Sequence, residues 1–269
     1  MLLRKFFENK PIIAVVHLPP LPGSPNYEGS FDSILERALS DAKKYVEEGV
    51  DALIIENFGD KPFSIRVKEP ETIAAISIVA YVFKKEFKVP IGINILRNSG
   101  VEALAIAHVV KANFIRVNSL CQLLSAPEGL IVPVARELAM KRRNLKAENV
   151  WVFADVNVKH AVPIGHVNLE LIVKDCEERG FADAIIITGS RTGEEARVEE
   201  ILRAKRATSK PVIVGSGITI ENIEKYWNHA DGFIIGTYFK KNGITENPVS
   251  VERVRKFMNY VRRLREKTL

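Results

Sequence analysis

The sequence predicts an α/β fold, a single (β/α)8 barrel. Three observations carry that expectation. Eight short apolar, β-branched segments recur along the chain. Most lack polar alternation, as strands buried on both faces of a parallel sheet do. Segments of helical period lie between them. In the last quarter, two strands end in glycine and a small hydroxyl residue, Gly215-Ser216-Gly217 and Gly236-Thr237. They read as the seventh and eighth strands of a barrel, whose loops bind phosphate.

The predicted strands are 12–18, 52–57, 91–95, 114–118, 151–156, 184–188, 212–215 and 232–236. Pro11, Pro90 and Pro211 open strands, where a missing N–H costs little. Ile34, Leu35, Ala38, Leu39, Ala42, Tyr45 and Val46 form one helical stripe, and Val251, Val254, Met258 and Val261 another. Gly49, Gly180 and Asn113 precede strands and are expected as helix C-caps. Eight strands alternating with helices match the length of a barrel, with a doubly wound open sheet as the alternative. No composition break or Gly/Ser linker divides residues 1–269, so one domain is expected. The proline-rich stretch 19–27 is long enough to lie over the barrel mouth.

Of the 269 residues, 46% are hydrophobic and 27% charged, which fits an ordinary globular chain with one large core. The net charge of +6 is mild, and the basic residues at 253–267 read as a solvated helix face. No nucleic-acid partner is expected, and peripheral membrane association stays open. Two distant cysteines, Cys121 and Cys176, argue against a disulfide framework and for a reducing, cytoplasmic setting. The N-terminus shows neither the apolar core nor the cleavage site of a signal peptide. The longest apolar run, 73–83, is interrupted by Ser77 and is too short to span a bilayer. It is expected as a buried helix or the contact of a homo-oligomer. Gln122 is the sole glutamine among many Lys and Glu, which points to a thermophilic source.

In a barrel the functional side chains sit at strand C-termini. Those ends supply His17; Glu56 and Asn57; Asn94 and Arg97; Arg116 and Asn118; Asp155, Asn157, Lys159 and His160. The later ends supply Gly189 and Ser190, Gly215 to Gly217, and Gly236-Thr237. Gly215 and Gly217 let backbone approach a phosphate, Ser216 adds a hydroxyl, and the helix starting near Glu221 is expected to aim its N–H groups at the anion. Gly236 and Thr237 complete the cradle, with Gly189 and Ser190 as a third wall. Alternatively, these glycines serve only tight turns. A phosphorylated small molecule is thus the expected partner.

For proton transfer, His17 and Asp155 lie on opposite strands and form the expected acid–base pair, with Glu56 as a competing base. Each also has a purely structural reading: His17 bonded to the proline-rich loop, Asp155 anchoring Asn157 or Lys159, Glu56 paired with Arg97 or Arg116. Asn57, Asn94, Arg97, Arg116, Asn118 and Asn157 are expected to contact substrate. A Schiff-base role for Lys159 is disfavoured because it lies beyond its strand. Glu56, Asp60, Asp155 and His160 leave a divalent metal open, but they are scattered and form no compact ligand motif, so no cofactor and no metal site are predicted.

The segments His17-Leu-Pro-Pro-Leu-Pro-Gly-Ser-Pro25, Gly49-Val-Asp-Ala-Leu-Ile-Ile-Glu-Asn-Phe-Gly-Asp60, Gly92-Ile-Asn-Ile-Leu-Arg-Asn98, Phe114-Ile-Arg-Val-Asn118, Asp155-Val-Asn-Val-Lys-His160 and Asp231-Gly-Phe-Ile-Ile-Gly-Thr237 resemble the BtpA/SgcQ family. The resemblance covers nearly the whole chain. It implies a ribulose-phosphate-binding barrel and no settled reaction. The family's name comes from photosystem I biogenesis, which implies a second reading as a non-catalytic assembly or stability factor. The fold-level analogy with phosphoribosylanthranilate isomerases implies an acid–base pair on strands 1 and 5. The cysteine common at the first of those places in such isomerases is replaced here by His17.

Overall fold

The protein is described by a computed structural model over residues 2–165, 168–189 and 194–268. Eight parallel strands close into a barrel in simple chain order: β1 (Ile12–His17), β2 (Ala52–Glu56), β3 (Ile91–Asn94), β4 (Phe114–Val117), β5 (Trp151–Val156), β6 (Ala184–Ile187), β7 (Val212–Val214) and β8 (Gly232–Ile235). Around them run α2 (Phe31–Glu47), α3 (Pro70–Glu86), α4 (Gly100–Val110), α5 (Ala135–Asn144), α6 (Leu169–Glu178), α7 (Val198–Ala207), α8 (Ile223–Trp227) and α9 (Val251–Thr268).

The pleat explains what faces the centre. Side chains alternate across a strand. Ile13 and Val15, Ala52 and Ile54, Phe114, Phe153, Ala184 and Ile186, Ile213 and Ile234 form the apolar plug inside the barrel. The intervening residues join the larger cluster under the helices. A short helix, α1 (Leu2–Phe7), stops the lower end of the plug: Phe7 packs on Phe153 with ring centroids 5.9 Å apart. Phe114 and Phe153 stack at 4.6 Å, and that pair occupies the space a side chain at Gly92 would need. A Cβ there would lie 2.1 Å from the Phe114 ring. Gly92→Ala is therefore expected to lower stability by about 1–3 kcal/mol, the ordinary cost of overpacking; its urea midpoint, at unchanged slope, measures it.

Continuing each inward row one step beyond the plug changes its chemistry. His17, Glu56, Asn94 and Arg116 stand in register on four neighbouring strands. Asp155 follows on β5, and Gly215 and Gly236 follow β7 and β8. The barrel thus carries a charged rim on one side and a bare backbone rim on the other.

Two expected helix ends differ. Gly49 has φ +87° after α2, as a C-cap glycine does. After α4 the left-handed residue is Lys111, φ 59°; Asn113 instead accepts from the Ile91 amide and Lys84. After α6 it is Phe181, φ 54°, whereas Gly180 is small because Leu120, Cys121 and the Cys176 carbonyl crowd it. A small antiparallel sheet of Leu124–Ala126, Gly129–Ile131 and Val162–Pro163, unannounced by its strands of two or three residues, hangs over the mouth.

The basic residues of α9 are largely staples: Arg255 pairs with Glu48 at 2.7 Å and Arg265 with Asp51 at 2.6 Å. On α3, Ile78 and Tyr81 stay exposed, on the run expected as a subunit contact. Among the described residues no helix is long and apolar enough to cross a membrane.

Candidate functional site

A cavity of about 190 Å3 opens at the C-terminal ends of the strands. One wall is His17, Glu56, Arg116 and Lys159; the other is the backbone from Gly215 to Thr219 and from Gly236 to Tyr238, closed by Arg253. The glycines are required by contact. A Cβ on Gly236 would lie 2.6 Å from the His17 ring, and one on Gly215 would meet Ile186 and Thr188 at 2.5 and 2.8 Å.

Arg116 is the centre of the charged wall. Its Nε and Nη2 donate to the two oxygens of Asp155 at 2.9 and 3.0 Å, a fork-on-fork geometry. Its Nη1 lies 3.8 Å from Glu56. Burial opposes the Arg116 charge, but Asp155 and Glu56 outweigh it and raise its pKa. Asn94 donates to Glu56 at 2.6 Å and Asn118 to Asp155 at 2.7 Å. Each amide then leaves its oxygen buried without a partner. Of the two, Asn118 lines the adjoining cavity, so its oxygen stands ready for a hydroxyl group, since buried polar atoms are normally satisfied.

His17 is held between Glu56, 3.7 Å from its Nε2, and the Phe58 ring, 4.8 Å between centroids. Its Nδ1 is buried and unpartnered. Burial, then the positive field of Lys240, Lys159, Lys61 and Arg116, pushes its pKa well below the ordinary histidine value. A neutral imidazole results at neutral pH.

Lys159 reaches the same wall although it lies past β5. The loop turns it inward through left-handed Asn157 (φ 55°) and His160 (φ 57°). Gln122 clamps that turn, accepting from the Asn157 amide and donating to its side-chain oxygen, both at 2.9 Å. Arg97 donates to the Lys159 carbonyl at 2.9 Å. Burial and the neighbouring Arg116 lower the Lys159 pKa, against the pull of Glu56 and Asp155. Among the described residues neither Lys159 nor Arg253 forms an ion pair. Arg253 lies 4.4 Å over the Tyr238 ring and donates to the Tyr238 carbonyl. Sequence reasoning missed Arg253, taking it for part of a solvated helix face.

Several expected residues do other work here. Asn57 points away from the cavity: its NH2 donates to Asp60 at 2.9 Å and its oxygen accepts from the Leu96 amide at 2.7 Å. Asp60 in turn accepts from the Leu21 amide, fixing the proline-rich loop. Asp155 does not line the cavity, because Arg116 and Asn118 occupy it. The Ser216 hydroxyl is spent between the Gly189 amide and the Glu194 carbonyl. Gly189 packs on the Glu194 backbone, and Ser190 lies outside the described residues. The helix expected from Glu221 begins at Ile223, and its entry is capped internally: Asn222 accepts from the Thr219 amide and Thr219 from the Glu221 amide. Among the described residues, the anion donors left in the cradle are the amides around Gly217 and Thr237, for which the turns show no backbone bond. Asn157 shapes a loop, and Arg97 lies in an adjoining cavity. Among the described residues no group of three His, Cys, Asp or Glu could hold a metal ion.

Comparison with known proteins follows the same outline. The model of the BtpA family matches residues 8–263. An uncharacterized protein of Pyrococcus horikoshii is 50% identical over 97% of this chain and 99% of its own. The photosystem I biogenesis protein BtpA of Synechocystis is 39% identical over 96% of this chain and 90% of its own. Among solved structures, the phosphoribosyl anthranilate isomerase of Thermus thermophilus shares the fold, with a TM-score of 0.57 and 13% identity over 94% of this chain and 99% of that one.

Proposed function

We propose, from the premise that this chain belongs to the BtpA family, that its barrel mouth binds a phosphorylated sugar and moves a proton on it. One observation carries the reading. Arg253 closes a glycine-walled cavity at β7 and β8 and has no carboxylate partner among the described residues. A cation without a counter-ion beside free amides suits an anionic group. The name of the fold neighbour, a phosphoribosyl enzyme, agrees with it.

Glu56 then acts as base. It takes the proton from the carbon beside the sugar carbonyl, and the C–H electron pair moves onto the carbonyl oxygen as an enediolate. Lys159 and Arg116 face that negative charge. The proton returns to the neighbouring carbon for isomerisation, or to the same carbon from the other face for epimerisation; if the enediolate electrons instead break the bond to a group on the adjacent carbon, which departs with that bond's pair, the outcome is that of a lyase. His17 remains the neutral relay beside Glu56. Asp155 anchors Arg116 and does not exchange protons with substrate. This shifts the acid–base pair from His17 and Asp155 to His17 and Glu56.

Millimolar ribose 5-phosphate is expected to raise the melting temperature of the protein. Arg253→Met is expected to weaken that binding roughly ten- to a hundredfold, as loss of a charged hydrogen bond does. An undiminished shift in Arg253→Met, or none in the parent, defeats the phosphate reading. Glu56→Gln is expected to bind the ligand yet slow solvent-deuterium exchange into the bound sugar by roughly a hundredfold or more. The name of the Synechocystis relative favours the second reading, a non-catalytic biogenesis factor. Its mark is ligand binding with no exchange in the parent protein.

A further inference from the structure

The 190 Å3 cavity is only part of the mouth. A second space of about 710 Å3 shares Glu56, Arg116, Lys159, Thr237 and Gly243 with it and extends away from the phosphate end. Such a volume lies in the range of whole small-molecule sites and exceeds what a pentose needs. Its walls differ too. Phe63, Leu96 and Ile244 give it apolar sides, while the Phe58 ring carries Lys61 at 4.0 Å and packs on His17. Its polar end is Arg97 and Glu128, whose Nε and Oε2 are both buried without a hydrogen-bond partner and stand 3.6 Å apart. Their side chains are only 4% and 11% exposed, so water is largely excluded. The oxygen of Asn118, also unpartnered, lies on the way between the two ends.

A neighbouring donor and acceptor at the end of an apolar slot match a flat ring that offers an acceptor and a donor side by side. The amide edge of a nucleobase has that pattern. An aliphatic sugar chain would leave the slot unfilled and both atoms unsatisfied.

We infer that the ligand is a ribonucleoside monophosphate: phosphate at Gly217, Thr237 and Arg253, ribose under Asn118 and Glu56, and a heterocyclic base against Phe63 with its amide edge on Arg97 and Glu128. This rests on the phosphate reading above and not on its enediolate step: a ribose tied to a base through C1 has no carbonyl, so that step applies to the free sugar phosphate alone. This placement also puts the bond between sugar and base over Lys159 and Glu56, where the two cavities meet.

Calorimetric titration of the full chain with inorganic phosphate, ribose 5-phosphate, uridine 5′-monophosphate and adenosine 5′-monophosphate tests it. At least one nucleotide is expected to bind tenfold or more tightly than ribose 5-phosphate, about the gain of one stacked base. Phe63→Ala is expected to remove most of that gap and to leave phosphate binding unchanged. Phe63→Leu, which keeps the apolar volume, guards against a folding defect and is expected to weaken the nucleotide alone. Equal affinity for ribose 5-phosphate and the nucleotides overturns the inference and leaves the phosphate reading standing. A nucleotide preference that survives both Phe63 variants overturns the placement of the base. Failure of all four ligands overturns the phosphate reading and this inference with it.

Discussion

Arg116→Met is expected to cost about 3–5 kcal/mol of stability, the usual penalty for stranding a buried charge. The side chains of Asp155 and Glu56 are 0% and 4% exposed, and Arg116 is the cation that both face. Methionine keeps much of the length and removes the guanidinium. Among the described residues Asp155 then retains the Asn118 amide as its hydrogen-bond donor, Glu56 retains Asn94 and a neutral His17, and both keep the more distant charge of Lys159. For a chain of this size the loss corresponds to a fall in melting temperature on the order of 10 °C. The cause is separable from lost packing. Asp155→Asn in the Arg116→Met background removes the stranded charge and is expected to regain part of the loss. A double-mutant cycle between the two positions should therefore show coupling well above the few tenths of a kcal/mol typical of independent sites. Additive effects would mean that Arg116 serves Asp155 no more than any filler of its volume. Arg116 also lines both cavities, so the single variant is expected to lose ligand binding along with stability.

The strand-end ring was legible because it follows from a period of two. Once Ile13–Val15 and Ala52–Ile54 are read as inward, His17 and Glu56 must be inward as well. The bare rim at Gly215 and Gly236 was legible for the same reason, since a strand-end glycine marks close approach. What the pattern does not encode is pairing between strands. That Asp155 would be consumed by Arg116 and Asn118 depends on side-chain reach from β4 to β5. Lys159 was discounted for lying beyond its strand. Its inward turn depends on two left-handed residues and on Gln122, 35 positions away from Asn157. Arg253 comes from the last helix to a site that begins at His17, a contact that only barrel closure creates. Asn57 misled because its position at a strand end is right and its parity is wrong. The relatives include thermophile proteins, in line with the composition at Gln122.

The same reasoning about stranded charge applies outside the mouth, with an asymmetry that identifies the partner at risk. Lys240 and Asp41 pair at 3.0 Å with both side chains 1% exposed. Asp41 has other support: the Val249 amide at 2.9 Å, Arg37 at 3.4 Å and Lys44 at 3.7 Å. Lys240 has the face of Tyr45 at 6.0 Å and, among the described residues, no second carboxylate within ion-pair distance. Asp41→Asn is therefore expected to cost more, about 3–5 kcal/mol, than Lys240→Met, which leaves Asp41 its remaining partners. Acid should erase the difference between the parent and Asp41→Asn. Burial works to raise the Asp41 pKa, but Lys240, the Val249 amide and Arg37 outweigh it and hold it below the ordinary 3.8. A carboxyl with a depressed native pKa binds fewer protons folded than unfolded, so its contribution is complete above 3.8 and is lost as pH falls through the native value. Stability curves of the parent and Asp41→Asn, measured by denaturant between neutral pH and pH 2, should converge toward the acid end. Parallel curves across that window would show that Asp41 is held by packing and not by its charge.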